Sequence, residues 1–369
     1  MPENSLKNKT DYKRLGDYIR EVDSRNRDLA VTLSQGICNA KYFQNPKQIA
    51  DRPETHKIVR RGQFAYNRAT TRNGEKISIA LREGPDCTVS SAYQVFEIID
   101  EEKLLPQYLM MWFRRPEFDR LAIYHSHGSA HEFFGWEEMC DVRLPIPPLS
   151  RQREIVAEYE TLTRRIRLNE RLISTLKSAA QTLYRRTFVD NIDPARLPPG
   201  WRTGTIGEFC KIFTGKKDVN ESLPSGKYRF FSCAPGYFYS DEYISKGPAV
   251  LIAGNGSYTG RVSFYNKEFD LYQRTYACVM RENYEPLIYC IYAILKCSFE
   301  KKFSGGSRGT SIPYIVRGDV ENFTFPYEKD VFCKFSREMK SFIAYLSQLA
   351  ETTKKLEEMK NLFLSSMGN

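Results

Sequence analysis

Two pairs of short polar clusters carry the side chains with which this chain could do chemistry. Within residues 65–76 stand Tyr66, Asn67, Arg68, Thr70, Thr71, Arg72, Asn73 and Lys76. Arg and Asn can each meet a guanine or adenine edge with two hydrogen bonds, while Thr and Lys suit phosphate oxygens. A matching stretch, 255–261, offers Asn255, Ser257, Tyr258 and Arg261 between glycines. Glycine has no Cβ, so a ligand can approach such a backbone closely. The second pair joins 124–131, with His125, His127 and Ser129, to 303–310, with Ser304, Ser307, Arg308 and Thr310. Its three glycines, Gly305, Gly306 and Gly309, would let backbone N–H groups lie along phosphate oxygens. Each residue alone is as compatible with a solvated loop. The matched placement of the clusters favours contact with a nucleic acid.

Metal and catalytic motifs are missing. His125, His127 and His131 have no cysteine or carboxylate companions at ligand spacing, and the second stretch has no histidine, so no metal is expected. The sequence has no G-x-x-x-x-G-K-[ST] and no H-E-x-x-H. The adenine-methylating Asn-Pro-Pro-aromatic and Asp-Pro-Pro-aromatic motifs do not occur either. Ala253-Gly254-Asn255-Gly256 follows a strand-like run but lacks the third glycine of a dinucleotide loop.

Composition points the same way. The 369 residues carry a formal net charge of +10, which favours a polyanionic partner. At 41% hydrophobic residues, each half can bury a core. Nine scattered cysteines without C-x-x-C fit a reducing compartment, so a cytoplasmic location is expected. The polar first residues lack the apolar segment of a signal peptide, and no apolar run is long enough to span a membrane.

The elements that position these clusters come twice. Arg14-Leu15-Gly16-Asp17-Tyr18 is echoed by Thr205-Ile206-Gly207-Glu208-Phe209, and Arg61-Gly62-Gln63-Phe64 by Lys246-Gly247-Pro248-Ala249. Leu105-Pro106-Gln107-Tyr108-Leu109 is echoed by Glu285-Pro286-Leu287-Ile288-Tyr289, and Leu144-Pro145-Ile146-Pro147 by Thr324-Phe325-Pro326. The offset is about 180–190 residues, too long for a solenoid repeat. Strands are predicted at 57–59, 76–80 and 92–98 in the first copy, and at 249–253, 261–265 and 275–280 in the second. A helix is predicted over 106–113, with Pro106 in its first turn and Tyr108, Leu109 and Trp112 on one face.

Each copy ends in a long heptad. Sevens from Ile155 give Leu162, Asn169, Leu176 and Leu183; four places later come Tyr159, Ile166, Ile173 and Ala180. The frame returns at Phe335, Phe342, Leu349, Leu356 and Phe363, with Met339, Leu346, Thr353 and Lys360 between. Apolar residues at this spacing predict two long helices that pair. The predicted pairing residues are Ile155, Leu162, Asn169, Leu176 and Leu183 with Phe342, Leu349, Leu356 and Phe363. Thr353 and Lys360 weaken the second seam. About 35 residues at ~1.5 Å each make a rod of roughly 50 Å. The predicted order is a first unit over 1–148, a helix over 149–190, a Pro-rich linker over 191–200, a second unit over 201–330 and a helix over 331–369.

At Pro145-Ile146-Pro147-Pro148-Leu149-Ser150-Arg151-Gln152-Arg153-Glu154-Ile155-Val156 the chain resembles the specificity subunits of Type I restriction–modification systems. Leu168-Asn169-Glu170-Arg171-Leu172-Ile173 and Leu183-Tyr184-Arg185-Arg186-Thr187-Phe188-Val189-Asp190 continue the likeness. So do Leu197-Pro198-Pro199-Gly200-Trp201, Ile206-Gly207-Glu208 and Thr214-Gly215-Lys216. One departure is plain: Phe325-Pro326-Tyr327-Glu328 stands where the first copy has Ile146-Pro147-Pro148-Leu149. The resemblance implies an α+β fold of two mixed α/β target-recognition domains joined by two antiparallel coiled-coil helices. It implies a non-catalytic subunit reading a bipartite site on double-stranded DNA and docking two methyltransferase (modification) subunits. S-adenosylmethionine would sit on those partners, and ATP and Mg on restriction/translocase subunits, with no cofactor on this chain. The alternatives are a stand-alone DNA-modifying or cleaving enzyme and a coiled-coil adaptor that binds proteins only.

Overall fold

Alternation of side chains along Phe64–Asn67 organises the first sheet. Phe64 and Tyr66 face one apolar cluster, with Phe96, Ile98, Ile79 and Ile19; Ala65 faces another, with Ala80 and Val95. This is the period of two expected of a strand buried on both faces. In this computed structural model the described residues are 12–46, 52–69, 76–126, 133–190, 192–305, 308 and 311–368. The chain divides into two units. The first runs to Leu168 and takes up the chain again from Thr352; the second is Asn169–Glu351. Each unit therefore contains part of both long helices, Leu149–Phe188 and Lys329–Ser366.

The first unit's sheet is fully antiparallel, in the order Ile19–Glu21, Tyr93–Ile98, Phe64–Asn67, Ile79–Leu81. The second unit repeats that order with Cys210–Thr214, Thr275–Met280, Ala249–Ala253 and Val262–Tyr265. Each unit closes on an antiparallel ribbon, Tyr12–Arg14 with Arg143–Pro145 and Arg202–Thr205 with Thr324–Tyr327. The echo of Gly16 in Gly207 has a steric reason. A Cβ on Gly16 would lie 2.8 Å from Cys140 Cβ, and one on Gly207 3.2 Å from the Glu321 carbonyl oxygen. Both glycines let the turn after the ribbon press against the next short helix, Trp136–Asp141 or Arg317–Glu321. The units differ beyond this frame. The second adds a sheet of Phe238–Ser240, Tyr228–Phe231, Glu268–Leu271 and Ser245–Lys246, where the described residues of the first form two-stranded ribbons.

The strand predicted over 76–80 begins only at Ile79. The Ile77 N–H donates to Asp119 Oδ1 at 3.2 Å instead of to a neighbouring strand, which keeps this residue out of the ladder. Likewise Arg261 belongs to a turn, its N–H donating to the Tyr258 carbonyl, and the strand starts at Val262. The helix Pro106–Phe113 is buried on nearly all sides, with Gln107 its one exposed residue. In the second unit the corresponding helix, Ile288–Ile294, runs on through a π turn, Leu295–Phe299, into Glu300–Phe303.

The long helices repeat residue by residue. Every position from 152 to 187 that is sheltered from solvent has a sheltered counterpart 180 residues later. In the first unit the start of one helix meets the end of the other, where Ile155, Val156 and Tyr159 pack with Phe363, Leu364 and Met111. In the second unit Tyr184 and Phe188 pack with Phe332 and Phe335, the Phe188 ring lying 5.1 and 4.9 Å from those two. Start against end at both places means the helices are antiparallel.

Gln152 explains why the first helix begins on prolines. It is fully buried, and its amide donates to the Lys103 and Pro147 carbonyls at 2.8 Å while accepting from the Leu105 N–H at 2.9 Å. At the equivalent place in the second helix stands Phe332, also fully buried. One copy fixes its helix start with polar bonds, the other with an aromatic ring. Gln152→Leu will leave the Leu105 N–H and two carbonyls unpaired and cost about 1–3 kcal/mol per orphaned group at most. A urea melt of the first unit's transition will show this as a lower midpoint, and Gln152→Glu will be no milder, because its buried carboxylate faces the same two carbonyl oxygens.

Candidate nucleic-acid interface

The loops predicted to touch a ligand emerge at the same place in both units. In the first, the Phe134 N–H donates to the Arg68 carbonyl at 2.9 Å, and Ala69 bridges Phe133. In the second, the Ile315 N–H donates to the Gly254 carbonyl at 2.9 Å, and Asn255 bridges Tyr314. These bonds make Arg68 the counterpart of Gly254, and Phe133 that of Tyr314. The two aromatic residues are similarly exposed, at 46% and 41%. An apolar ring held in water at the rim of a polar loop is available for stacking or for wedging against bases.

In the second unit the loop is knitted together by Thr259. Its hydroxyl is 2.7 Å from the Gly256 carbonyl and 2.9 Å from the Pro313 carbonyl, and the Gly256 N–H donates to Pro313 at 3.0 Å. This leaves Ser257, Tyr258, Ile312 and Tyr314 facing solvent, with Asn255 half-buried. Arg308 and Ser304 are exposed nearby on the chain, and Arg308 pairs with Asp319, which also accepts from the Val316 N–H at 2.8 Å. A guanidinium held by a carboxylate is oriented for contact with a base or phosphate.

Three expectations are corrected. Tyr66 has no exposed surface; its ring belongs to the core against Phe96 and Phe134, and its hydroxyl donates to the Gly135 carbonyl at 3.1 Å. Burial pushes that phenol well above its ordinary pKa, so it stays neutral. Arg261 turns inward and donates to the Cys233 and Ala234 carbonyls at 3.2 and 2.8 Å, bracing a neighbouring loop. Gly260 serves the chain's own backbone and not a ligand's: a Cβ there would stand 2.5 Å from the Phe303 carbonyl oxygen, at a φ of +84°.

The remaining residues divide by position. Arg68 and Lys76 are exposed, and Asn67 caps its own turn by accepting from the Ala69 N–H at 3.1 Å. His125 is exposed with its ring 5.1 Å from that of Tyr124. Thr70, Thr71, Arg72, Asn73, His127, His131, Ser129, Ser307 and Thr310 lie outside the described residues. On the long helices Ile155, Leu162, Asn169, Leu176, Leu183, Phe342, Leu356 and Phe363 are half-buried and Leu349 is buried. Sequence reasoning missed Gln152 and the exposed Phe133 and Tyr314. Their signal was the repeat itself, since Phe133 and Tyr314 stand at one offset from Phe134 and Ile315. Among the described residues no group of His, Cys, Asp or Glu is placed to hold a metal ion, and no helix is long and apolar enough to cross a membrane.

Comparison with known proteins places this geometry. Residues 198–327 match the Type I restriction modification DNA specificity domain. That match lies wholly within the second unit. Over 174 residues, 45% of its length, it is 31% identical to the Type I restriction enzyme EcoDI specificity subunit of Escherichia coli. The match spans only 36% of that relative's length. The fold is similar to the crystal structure of a Type I restriction–modification system S subunit from M. genitalium, with a TM-score of 0.68 at 14% identity. That likeness covers 100% of this chain and 99% of the other. The specificity-domain match falls on the second unit. The first unit has the same strand order, the same closing ribbon and the same bridge beside its exposed loop.

Proposed function

We propose that this chain is the DNA sequence-recognition subunit of a Type I restriction–modification complex. Each unit reads one part of a bipartite site on double-stranded DNA, and the chain docks methyltransferase (modification) subunits, with restriction/translocase subunits in the full complex. It contributes no catalytic step and binds no cofactor of its own; S-adenosylmethionine, ATP and Mg belong to the partners. The observation that carries this reading is the duplicated specificity-domain fold, which sets an exposed aromatic and an exposed arginine or polar loop at matching places in both units. Two similar but not identical readers suit a site in two different halves. The outward faces of the long helices, rich in Arg and Glu, suit partner docking.

The test uses the complex assembled with its modification subunits. Arg68→Ala should weaken binding by about 1–3 kcal/mol and relax base preference at one half-site, as loss of a bidentate base contact does. Arg308→Ala should act on the other half-site alone. One continuous footprint, or both variants changing the same bases, would sink the two-reader reading.

A further inference from the structure

In the second unit a groove of about 930 Å³ runs between the last turns of the first long helix and residues 296–304. Its walls carry Arg185, Lys296, Lys301 and Lys302 against a single carboxylate, Glu300. Glu300 is held by Lys296, with Nζ 2.7 Å away, and Arg185 reaches Asp190 at 3.2 Å. No carboxylate of the described residues pairs with Lys301 or Lys302, and both are exposed. Lys302 stands over the rings of Phe303 and Phe323, 5.4 and 5.8 Å from their centres. It also lines the adjoining hollow of about 380 Å³ that holds Arg308. The groove thus adjoins the exposed loop, where Arg308 is paired with Asp319.

The first unit repeats this scaffold with its cations paired to a carboxylate. At the offset of 181 that relates Phe133 to Tyr314, Lys296, Lys301 and Lys302 correspond to Arg115, Arg120 and Leu121, and Glu117 lies 3.5 Å from Arg115. Arg120 is neutralised by Glu117 at 3.2 Å. At the helix offset of 180, Arg185 corresponds to Ser365. The backbone was duplicated, and at these positions cations without a carboxylate partner among the described residues are found in the second unit.

We propose that this groove grips the phosphate backbone of the duplex beside the half-site read by the second unit, a hold the first unit lacks; the inference rests on the DNA-reading role above. Lysine ammonium groups on flexible stems suit phosphates, which position a duplex without reading it. Each neutralised phosphate releases counterions, so two lysines steepen the dependence of affinity on salt by roughly two powers of concentration.

The experiment measures duplex binding by the assembled complex at several salt concentrations, for the parent and for Lys301→Gln/Lys302→Gln. Both side chains are exposed, and circular dichroism melts check that the variant keeps its fold. A fourfold rise in salt should cost the parent about tenfold more affinity than it costs the variant. The variant's ratio of affinities for matched and mismatched sites should equal the parent's. Trimming the duplex outside the second half-site should reproduce the loss, and Arg120→Gln in the first unit should change little. An unchanged salt slope overturns the proposal, as does a variant that fails to assemble with modification subunits while binding DNA normally, which would assign the groove to a protein segment. A parent complex without sequence preference would instead overturn the reading role itself.

Discussion

Asp119→Asn will destabilise the first unit by about 3–5 kcal/mol, because it leaves a buried ammonium without its counter-charge. Lys41 is only 5% exposed, and its Nζ lies 2.7 Å from Asp119 Oδ1 while also donating to the Phe113 carbonyl. Burial pushes the Lys41 pKa down, and the nearby carboxylate works against that shift. The amide of the variant keeps an acceptor for the Ile77 N–H, so the effect isolates the charge. Adding Lys41→Met should recover most of the loss, since a buried pair removed as a whole is often close to neutral. Urea unfolding of the two single variants and the double variant checks this; a double variant as unstable as Asp119→Asn alone refutes it. The second unit has a pair of the same kind in Lys296 and Glu300, whose carboxylate accepts from the Val262 N–H at 2.6 Å. There both side chains are partly open to water, and screening makes the pair worth much less.

The second large effect is at Phe188. Its ring meets Phe332, Phe335, Tyr184 and Trp201, joining the end of one long helix to the start of the other and to the segment that follows. Phe188→Ala will empty this aromatic cluster and cost about 3–5 kcal/mol, as truncation of a buried phenylalanine does. Phe188→Leu refills most of the volume and should retain over half of that. Amide exchange in residues 329–345 reads the effect directly: protection lost there in Phe188→Ala, and unchanged protection in the first unit's sheet. Equal loss in both units would mean that the cluster does not hold the helix pair locally.

How much of this was legible in one sequence depends on the range of the interaction. The long helices were, because a heptad spacing is written into consecutive residues and reappears 180 positions later. The strands 249–253 and 275–280 and the helix 106–113 were, because runs of apolar side chains and a first-turn proline act locally. Tyr66 was not. An aromatic residue among Asn, Arg and Thr reads as surface, but it stands on the inward face of a strand whose alternation puts it beside Phe64. Arg261 failed for a related reason: a guanidinium that finds two carbonyls of its own chain is no longer offered to a ligand, and sequence does not show where those carbonyls are.

The sequence alone established the duplication, the helix seams and the positive balance of charge, since each is a property of order and composition along the chain. Only the tertiary structure decided which polar residues remain at the surface. It set Lys41 against Asp119 and Gln152 against three backbone groups, and it left Lys301 and Lys302 without carboxylates among the described residues. Lys41 and Asp119 stand 78 positions apart, and Gln152 stands 47 and 49 from Leu105 and Lys103; distance in space, not in sequence, fixes the strength of a charge or a hydrogen bond.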